Sequence, residues 1–206
     1  MAKASAGNVD AQYRLGRWYR GRFGNNFPDN AEAFKWLSLA AESGHAAAQT
    51  WMGAQYMYGS PVGPTGIPED ADEAAGWFIK AAMNRTAATA HDLSMLGDPL
   101  DCLRKLSDEG RITLAGLLRT AASAGDAAAA AVLLDAGAEI DAVGEYGRTP
   151  LMLAGLRANV QTLRLLIERG ADASATDDRG RDAAELADEA GHSEVAEILR
   201  TTIESP

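Results

Sequence analysis

The chain has 206 residues, of which 47% are apolar, and a formal net charge of −10. This length suffices for one elongated or two compact units. The sequence has no apolar run of about 18 residues, so we expect no membrane span. A single cysteine excludes an internal disulfide and a cysteine-based zinc site. The first residues lack the basic-then-apolar pattern of a secretory signal, which predicts a cytoplasmic protein, with the periplasm as the alternative.

The charge is unevenly distributed along the chain. Residues 1–90 contain eight Lys or Arg and eight Asp or Glu, whereas residues 91–206 contain 11 and 21. The acidic second half is not expected to bind nucleic acid, because a phosphate backbone requires a basic surface. Two interpretations of the acidic residues remain open: a surface that is simply solvated, or one that binds a basic protein.

A repeat occupies the first half of the chain. Residues 8–16 align with residues 45–53 at an offset of 37. The Ala-x-x-Trp pattern that ends at Trp36 aligns with the one that ends at Trp77 at an offset of 41. The difference locates an insertion in residues 60–69, where three Pro and two Gly predict a loop.

Each of these units is predicted to form two helices. The first helix carries the pattern A-Q-x-x-L-G-x-x-Y, and the second is opened by a capping aspartate, Asp29 or Asp70. With A-A-E-x-G-H at its end, the unit resembles the Sel1-like repeat, a relative of the tetratricopeptide repeat, and the resemblance covers residues 1–85. Residues 2–8 align with residues 39–45, so we expect the chain to begin inside an earlier, truncated repeat, with more units upstream.

Residues 86–113 do not fully continue this repeat. Residues 90–97 are faintly similar to the first helix of a third unit, and residues 99–109 could form its second helix. The composition favours helix and contains no long flexible tract. We therefore predict a helical connector or degenerate repeat that joins the two halves of the chain rigidly.

The second half contains a different repeat, with a period of 33. Gly147 recurs as Gly180, and Asn159 recurs as His192. A fixed period of this length indicates stacked units that bury their apolar faces against one another. Within one unit, the Thr-Pro pair at 149–150 begins a helix, a short turn and a second helix follow, and a polar loop ends the unit.

Ten residues of this unit match the pattern G-x-T-P-L-x-x-A and, after the turn, its Leu, Gly-Ala and Asp positions: Gly147, Thr149, Pro150, Leu151, Ala154, Leu163, Leu166, Gly170, Ala171 and Asp172. The unit thereby resembles the ankyrin repeat, although Met152 stands where the family usually has histidine. The resemblance implies three ankyrin repeats over residues 114–206, the first degenerate at its start and the last with a polar capping face. The fold class predicted for the whole chain is all-α, an α-solenoid of stacked helix-turn-helix repeats, Sel1-like followed by ankyrin.

The sequence offers little for catalysis. It contains no H-E-x-x-H, no G-x-S-x-G and no phosphate-binding glycine-rich loop. His45 and His192 occupy the Gly-His turns of their repeats and are predicted to be structural, and His91 is predicted to be solvated or to cap a helix. Cys102 has no nearby histidine to activate it and is predicted to be a small core residue. We predict no enzyme activity, no cofactor and no metal.

Candidate partner-binding residues lie outside the positions that the repeat motifs require. Arg and Trp anchor many interfaces, and repeats of the first kind usually present their first helices on the concave side. On those helices the candidates are Arg14, Arg17, Trp18, Trp51 and Gln55. The alternative that Trp18 and Trp51 pack between repeats as core stays open.

For the ankyrin half, the resemblance implies binding through loop tips and first helices. The main candidates there are Tyr146, Arg148 and Met152, with Glu145, Arg179 and Arg181 beside them.

These features predict a non-catalytic protein–protein interaction module, a scaffold or regulatory adaptor that binds a protein partner on the concave repeat surface. The alternative is an immunity-type inhibitor that binds and neutralises a toxin or enzyme. We expect a monomer that binds neither nucleic acid nor membrane. The richness in Ala, Arg and Gly and the pairing of the two repeats further favour a bacterial source.

Overall fold

The chain is α-helical and divides into two compact units. The computed structural model describes residues 2–21, 29–61, 66–86, 93 and 96–204. Besides α-helices, these residues form turns, one 3₁₀ turn and one antiparallel bridge between Ser60 and Ile67. Unit 1 is Met1–Ile112 and unit 2 is Thr113–Pro206. The predicted all-α class, built from stacked helix pairs, is confirmed.

The described part of unit 1 contains six helices, each packed against the next. They are α1 Ala2–Ser5, α2 Val9–Tyr19, α3 Asn30–Glu42, α4 Ala46–Tyr58, α5 Ala71–Met83 and α6 Pro99–Asp108. Asp29 caps α3 by accepting hydrogen bonds from two backbone N–H groups of its first turn. Asp70 caps α5 in the same way through the N–H of Glu73. Both capping aspartates expected from the sequence are confirmed.

Glycine allows the two helices of each Sel1-like pair to approach closely. A Cβ atom added at Gly16 of α2 would lie 2.6 Å from Cγ of Leu37 in α3. At the equivalent Gly53 of α4, it would lie 2.6 Å from Cε1 of Phe78 in α5. Leu37 and Phe78 are fully buried, so these glycine positions of the motif set how closely the helices pack.

The segment after α5 folds onto unit 1. Helix α6 packs against α5, and the Arg111 guanidinium after it donates to the backbone carbonyl of Met57 at 2.6 Å and to Glu69 at 2.7 Å. Most of residues 90–97, including His91, lies outside the described residues. Within that stretch, Leu93 is buried in the core of the unit.

Unit 2 contains two layers of helices in its described residues. The first helices of its three pairs, α7, α9 and α11, pack against one another in that order, and each also packs against the second helix of its own pair. The six helices are α7 Leu114–Ala124, α8 Ala127–Asp135, α9 Pro150–Leu156, α10 Val160–Glu168, α11 Ala183–Glu189 and α12 Ser193–Glu204. Thr149 caps α9, with Pro150 in its first turn, as the Thr-Pro pair predicts.

The turn between α9 and α10 links one repeat to the preceding one. The side-chain amide of Asn159 donates to the backbone carbonyls of Ala122 at 2.8 Å and Ser123 at 3.0 Å, both near the end of α7. These two carbonyls lie in the last turn of a helix, where backbone acceptors lack partners within the helix. Asn159, in the turn within one repeat, therefore also joins that repeat to the preceding one.

Candidate functional site

The first candidate surface lies on α2 of unit 1. Arg14 is exposed, and Trp18 is 42% exposed with its ring edge-on to Tyr19, 5.0 Å between centroids. Arg17 is half-buried, and its guanidinium lies 5.5 Å from the centre of the Tyr13 ring. Of the two tryptophans proposed from the sequence, Trp18 is therefore the one that is accessible to a partner. We call Arg14, Arg17 and Trp18 the α2 surface.

Trp51 belongs to the core rather than to this surface. It is 4% exposed, packs against Phe34 with 6.1 Å between ring centroids, and is covered on one side by Arg20 at 5.5 Å. The alternative that it packs as core therefore describes Trp51. Gln55, one turn further along α4, is half-buried. Because a buried ring offers a partner no surface, we do not propose Trp51 as a contact residue.

His45 and Cys102 have features of structural residues. His45 is buried, caps α4 by accepting from the N–H of Ala48 at 3.4 Å, and stacks on Tyr13 at 4.1 Å. Burial, with a smaller contribution from the neighbouring carboxylates of Asp101 and Asp98, raises the pKa of the Cys102 thiol. A raised pKa lowers the fraction of nucleophilic thiolate.

The loop before α9 in unit 2 presents an aromatic residue to solvent. Glu145–Gly147 forms a 3₁₀ turn in which Tyr146 has φ 61° and ψ 23°, a left-handed conformation that is uncommon for a residue with a Cβ. Its carbonyl accepts a hydrogen bond from the N–H of Asp178 in the next loop, at 3.1 Å. The side chain of Tyr146 is 66% exposed, and the Arg148 guanidinium lies 5.4 Å from the ring centre.

An open groove of about 800 Å³ runs between this turn and the helices α7 and α9. We call it the Tyr146 groove. Three arginines from different elements line it together with Tyr146: Arg119 from α7, Arg148 from the loop and Arg157 from the end of α9. Glu145 is the acidic residue among its lining residues. Arg119 and Arg157 were missed in the sequence, although Arg119 aligns with the candidate Met152 at an offset of 33.

Met152 itself is 1% exposed and lies in the core of unit 2. Its N–H donates to the hydroxyl of the capping Thr149 at 3.3 Å. The first-helix position that the resemblance indicated is therefore a packing position in this repeat, and Met152 is not part of the groove surface.

The loop of the next repeat has a different side-chain arrangement, and Arg179, at the position of Tyr146, does not have a positive φ. Asp177 is 6% exposed, and its carboxylate accepts hydrogen bonds from the N–H groups of Arg179 and Arg181 at 2.9 and 3.0 Å. It also accepts from Nε and Nη2 of Arg181, at 3.1 and 2.7 Å. The Arg181 side chain and these backbone donors hold the pKa of Asp177 down at about 2. Arg181 is thus fully engaged within its own repeat.

Comparisons with known proteins find two families of repeats in the chain. A family model for the Sel1 repeat matches residues 9–45 and 46–85, and a model for ankyrin repeats, in three copies, matches residues 118–204. The protein named Ankyrin repeat, SAM and basic leucine zipper domain-containing protein 1 is similar in Gorilla gorilla gorilla and in Pan troglodytes. Each is 30% identical over 128 residues, which are 62% of this chain and 23% of the relative.

The protein of the same name from Equus caballus is 44% identical over 61 residues, which are 30% of this chain and 13% of the relative. The chain thus spans less than a quarter of the length of the curated relatives that it matches. These relatives are mammalian, and the bacterial source favoured by composition stays a prediction. Among the helices of the described residues, none combines the length and the apolar character needed to cross a bilayer.

Proposed function

Because the chain carries Sel1 repeats over residues 9–85 and ankyrin repeats over residues 118–204, we propose that it is a non-catalytic scaffold or regulatory adaptor that binds a protein partner on its repeat surfaces. Both families are typically protein-interaction modules, in which stacked helices present an extended surface. No feature of the described residues favours the inhibitor alternative, so we restrict the proposal to a scaffold or adaptor.

The observation that carries this proposal is the Tyr146 groove. Tyr and Arg are over-represented among the residues that contribute most to binding free energy, and here an exposed tyrosine and three arginines line one open groove. Soluble proteins generally bury their large aromatic residues or pack them against a neighbour. A tyrosine that is 66% exposed and held in a left-handed conformation therefore suggests a contact with another molecule.

The groove is also held in place before a partner binds. The carbonyl of Tyr146 is hydrogen-bonded to Asp178, and the N–H of Gly144 donates to the carbonyl of Arg148 at 3.0 Å. The arginines at its two sides extend from helices that pack against each other. A loop that is ordered by such contacts loses little further entropy on binding, which favours affinity.

The proposal can be tested by protein capture with a matched pair of variants. Wild type, Tyr146→Ala and Tyr58→Ala serve as baits in an extract of the source cells, and retained proteins are quantified by mass spectrometry. Tyr58 is 62% exposed and lies in unit 1, so its replacement removes a similar exposed ring outside the groove. We expect a partner that is retained by wild type and Tyr58→Ala but reduced about tenfold by Tyr146→Ala.

Circular dichroism should show unchanged helix content and melting temperature for both variants, because neither side chain is buried. Equal retention of every captured protein by all three baits would contradict a role for the Tyr146 groove.

A further inference from the structure

We propose that the Tyr146 groove is a carboxylate-binding site and that its occupant is an acidic segment of a partner protein, with an Asp or Glu side chain placed on Arg148. This inference rests on the proposed function and names the chemistry of the partner at the same site. It follows from a comparison of two equivalent arginines within the chain.

Arg148 and Arg181 occupy the same position of successive repeats, at an offset of 33. The two loops share one backbone hydrogen bond, since the N–H of Gly144 donates to the carbonyl of Arg148 at 3.0 Å and the N–H of Asp177 donates to that of Arg181 at 2.8 Å. The carboxylate of Asp177 binds the edge of the Arg181 guanidinium through Nε and Nη2. In the earlier repeat, the residue at that position is glycine, which has no side chain to do this.

The second acidic partner of Arg181 is also missing in the earlier repeat. Glu189 accepts a hydrogen bond from Nη1 of Arg181 at 2.5 Å, whereas the residue 33 positions before it is Leu156. Nε of Arg148 is buried, and without these acids it has no hydrogen-bond acceptor within the described part of the chain. A buried charged donor without an acceptor is unfavourable, so Arg148 has an interaction to gain from a ligand.

The other arginines of the groove reinforce this positive charge. Nη1 of Arg119 makes a long contact of 3.5 Å with the carbonyl of Val143, and Arg157 is exposed. Within the described residues, no ion pair is formed by Arg119, Arg148 or Arg157. Unit 2 as a whole has eight Arg and 16 Asp or Glu, so the groove is a local cationic site on an acidic unit.

The shape of the charge distribution favours a protein carboxylate over a nucleic acid. A phosphate backbone would extend onto the acidic remainder of unit 2, where it would be repelled. One or two carboxylates need only the groove, because charges further away than about 10 Å are screened at moderate ionic strength. The planar fork of an arginine matches a carboxylate, and within this chain Nε and Nη2 of Arg181 both donate to Oδ2 of Asp177. Tyr146 beside Arg148 would contact an apolar neighbour of that acid.

The first experiment selects peptides that bind the full chain from a random peptide library displayed on phage, with Tyr146→Ala as the counter-selection. We expect the selected peptides to share an Asp or Glu. A selected peptide is then titrated against wild type, Arg148→Glu and Arg164→Glu. Arg164 is exposed on α10 and does not line the groove, so it is a control for the same charge change in the same unit.

We expect Arg148→Glu to weaken the peptide by about tenfold or more and Arg164→Glu to have little effect. Replacing the shared acid of the peptide by its amide should weaken wild-type binding equally. Selected peptides without an acid, a selection that yields no groove binder, or equal binding by Arg148→Glu and Arg164→Glu would overturn the inference. A phosphoserine peptide that binds much more tightly than the acidic one would assign the site to phosphate instead and also contradict it.

The second experiment places the missing carboxylate in the groove. Gly144→Asp should add a carboxylate that occupies the arginines of the groove and thereby blocks the peptide, whereas Gly144→Asn has the same size without the charge and should retain binding. A Cβ at this position would lie 2.4 Å from Nε and 2.8 Å from Cδ of Arg119, so the Arg119 side chain must move in both variants alike. Equal affinity of the two variants would contradict the inference.

The outcomes separate this inference from the proposed function. A partner that depends on Tyr146 but not on Arg148 or on an acidic residue would leave the adaptor function in place and reject the carboxylate site. A partner that is indifferent to Tyr146 would reject the groove as the binding surface.

Discussion

The ionisation of Asp177 is coupled to the structure of a loop in unit 2. Its carboxylate organises the loop before α11 by accepting hydrogen bonds from two backbone N–H groups and from the Arg181 side chain. These interactions favour the charged form, so the pKa in the folded state is about 2, below the ordinary value of 3.8. A depressed pKa means that the carboxylate stabilises the fold above pH 3.8 and that this stabilisation is lost as the pH falls towards 2.

We therefore predict that Asp177→Asn is less stable than wild type at neutral pH and that the difference shrinks between pH 3.8 and about 2. Urea unfolding followed by circular dichroism at a series of pH values measures this difference. Two stability curves that stay parallel down to pH 2 would show that Asp177 does not contribute through its charge.

A second prediction at this scale concerns the α2 surface, which is a separate proposed contact of unit 1. Arg14 is exposed, whereas Arg17 packs over the Tyr13 ring, so Arg14→Glu is the cleaner change. We expect it to weaken a partner that uses this surface by about fivefold and to leave the melting temperature within about 1 °C, since an exposed charge contributes little to stability. The affinity of the captured partner for Arg14→Glu is measured by titration. An affinity equal to that for wild type would exclude the α2 surface as a binding surface.

Individual side chains show where the sequence was sufficient and where it was not. That Arg148 lacks the aspartate partner of Arg181 is visible in the sequence, because Gly144 stands 33 residues before Asp177. The different burial of Trp18 and Trp51 is not visible there. Helix α4 packs between α3 and α5, and Trp51 lies in the core that they form. The helical period predicts which residues share a face but not which faces acquire neighbours.

At the scale of helices, the spacing within each Sel1-like pair depends on one glycine. Gly53 of α4 faces the fully buried Phe78 ring of α5, and a methyl group has no room there. Gly76, on α5 itself, has no atom within 4 Å of where its Cβ would lie. A Gly→Ala substitution at these two positions of one helix pair should therefore have opposite effects on stability.

We predict that Gly53→Ala destabilises the protein by about 1–3 kcal/mol, because it forces the two helices apart. Gly76→Ala should stabilise it by about 0.5–1 kcal/mol, because alanine restricts the unfolded chain and favours helix. Chemical unfolding of the full chain compares both with wild type. A Gly53→Ala protein as stable as Gly76→Ala would show that the pair can repack without cost.

The start of each predicted element was recovered better than the conformation of the loops. Asp29, Asp70 and Thr149 cap the helices as expected, because capping depends on a local hydrogen bond that the sequence encodes. The left-handed Tyr146 was not expected, since this conformation usually requires glycine or asparagine. It is held by the hydrogen bond to Asp178 of the next repeat, a contact between residues that are distant in sequence.

At the scale of the whole molecule, the chain has a net charge of −10, whereas the Tyr146 groove is lined by three arginines. Binding of an acidic peptide to this groove should therefore depend on salt. We expect its affinity to fall about tenfold between ionic strengths of about 0.05 and 0.5 M, as the Debye length shortens. The loss of affinity caused by Tyr146→Ala should change little with salt, because it arises from an aromatic contact. Isothermal titration calorimetry in both buffers tests this, and an affinity independent of salt would contradict an ionic site.

The repeat periods of 33 and 37 located both families of repeats from the sequence alone, because each period is a property of one helix pair and its neighbour. The division into residues 1–85, 86–113 and 114–206, and the continuous α-solenoid expected from it, stay predictions. The partner could not be predicted in the same way, since the surface residues that select it are those that the repeat motifs leave free.

The most direct test of the central claim, that unit 2 binds a protein partner through the Tyr146 groove, is site-specific crosslinking. A photoreactive phenylalanine analogue replaces Tyr146 in the full chain, or Tyr58 as the control, and each protein is irradiated in an extract of the source cells. We predict one dominant crosslinked protein at position 146 that is absent at position 58. The same proteins at both positions, or none at position 146, would contradict the account.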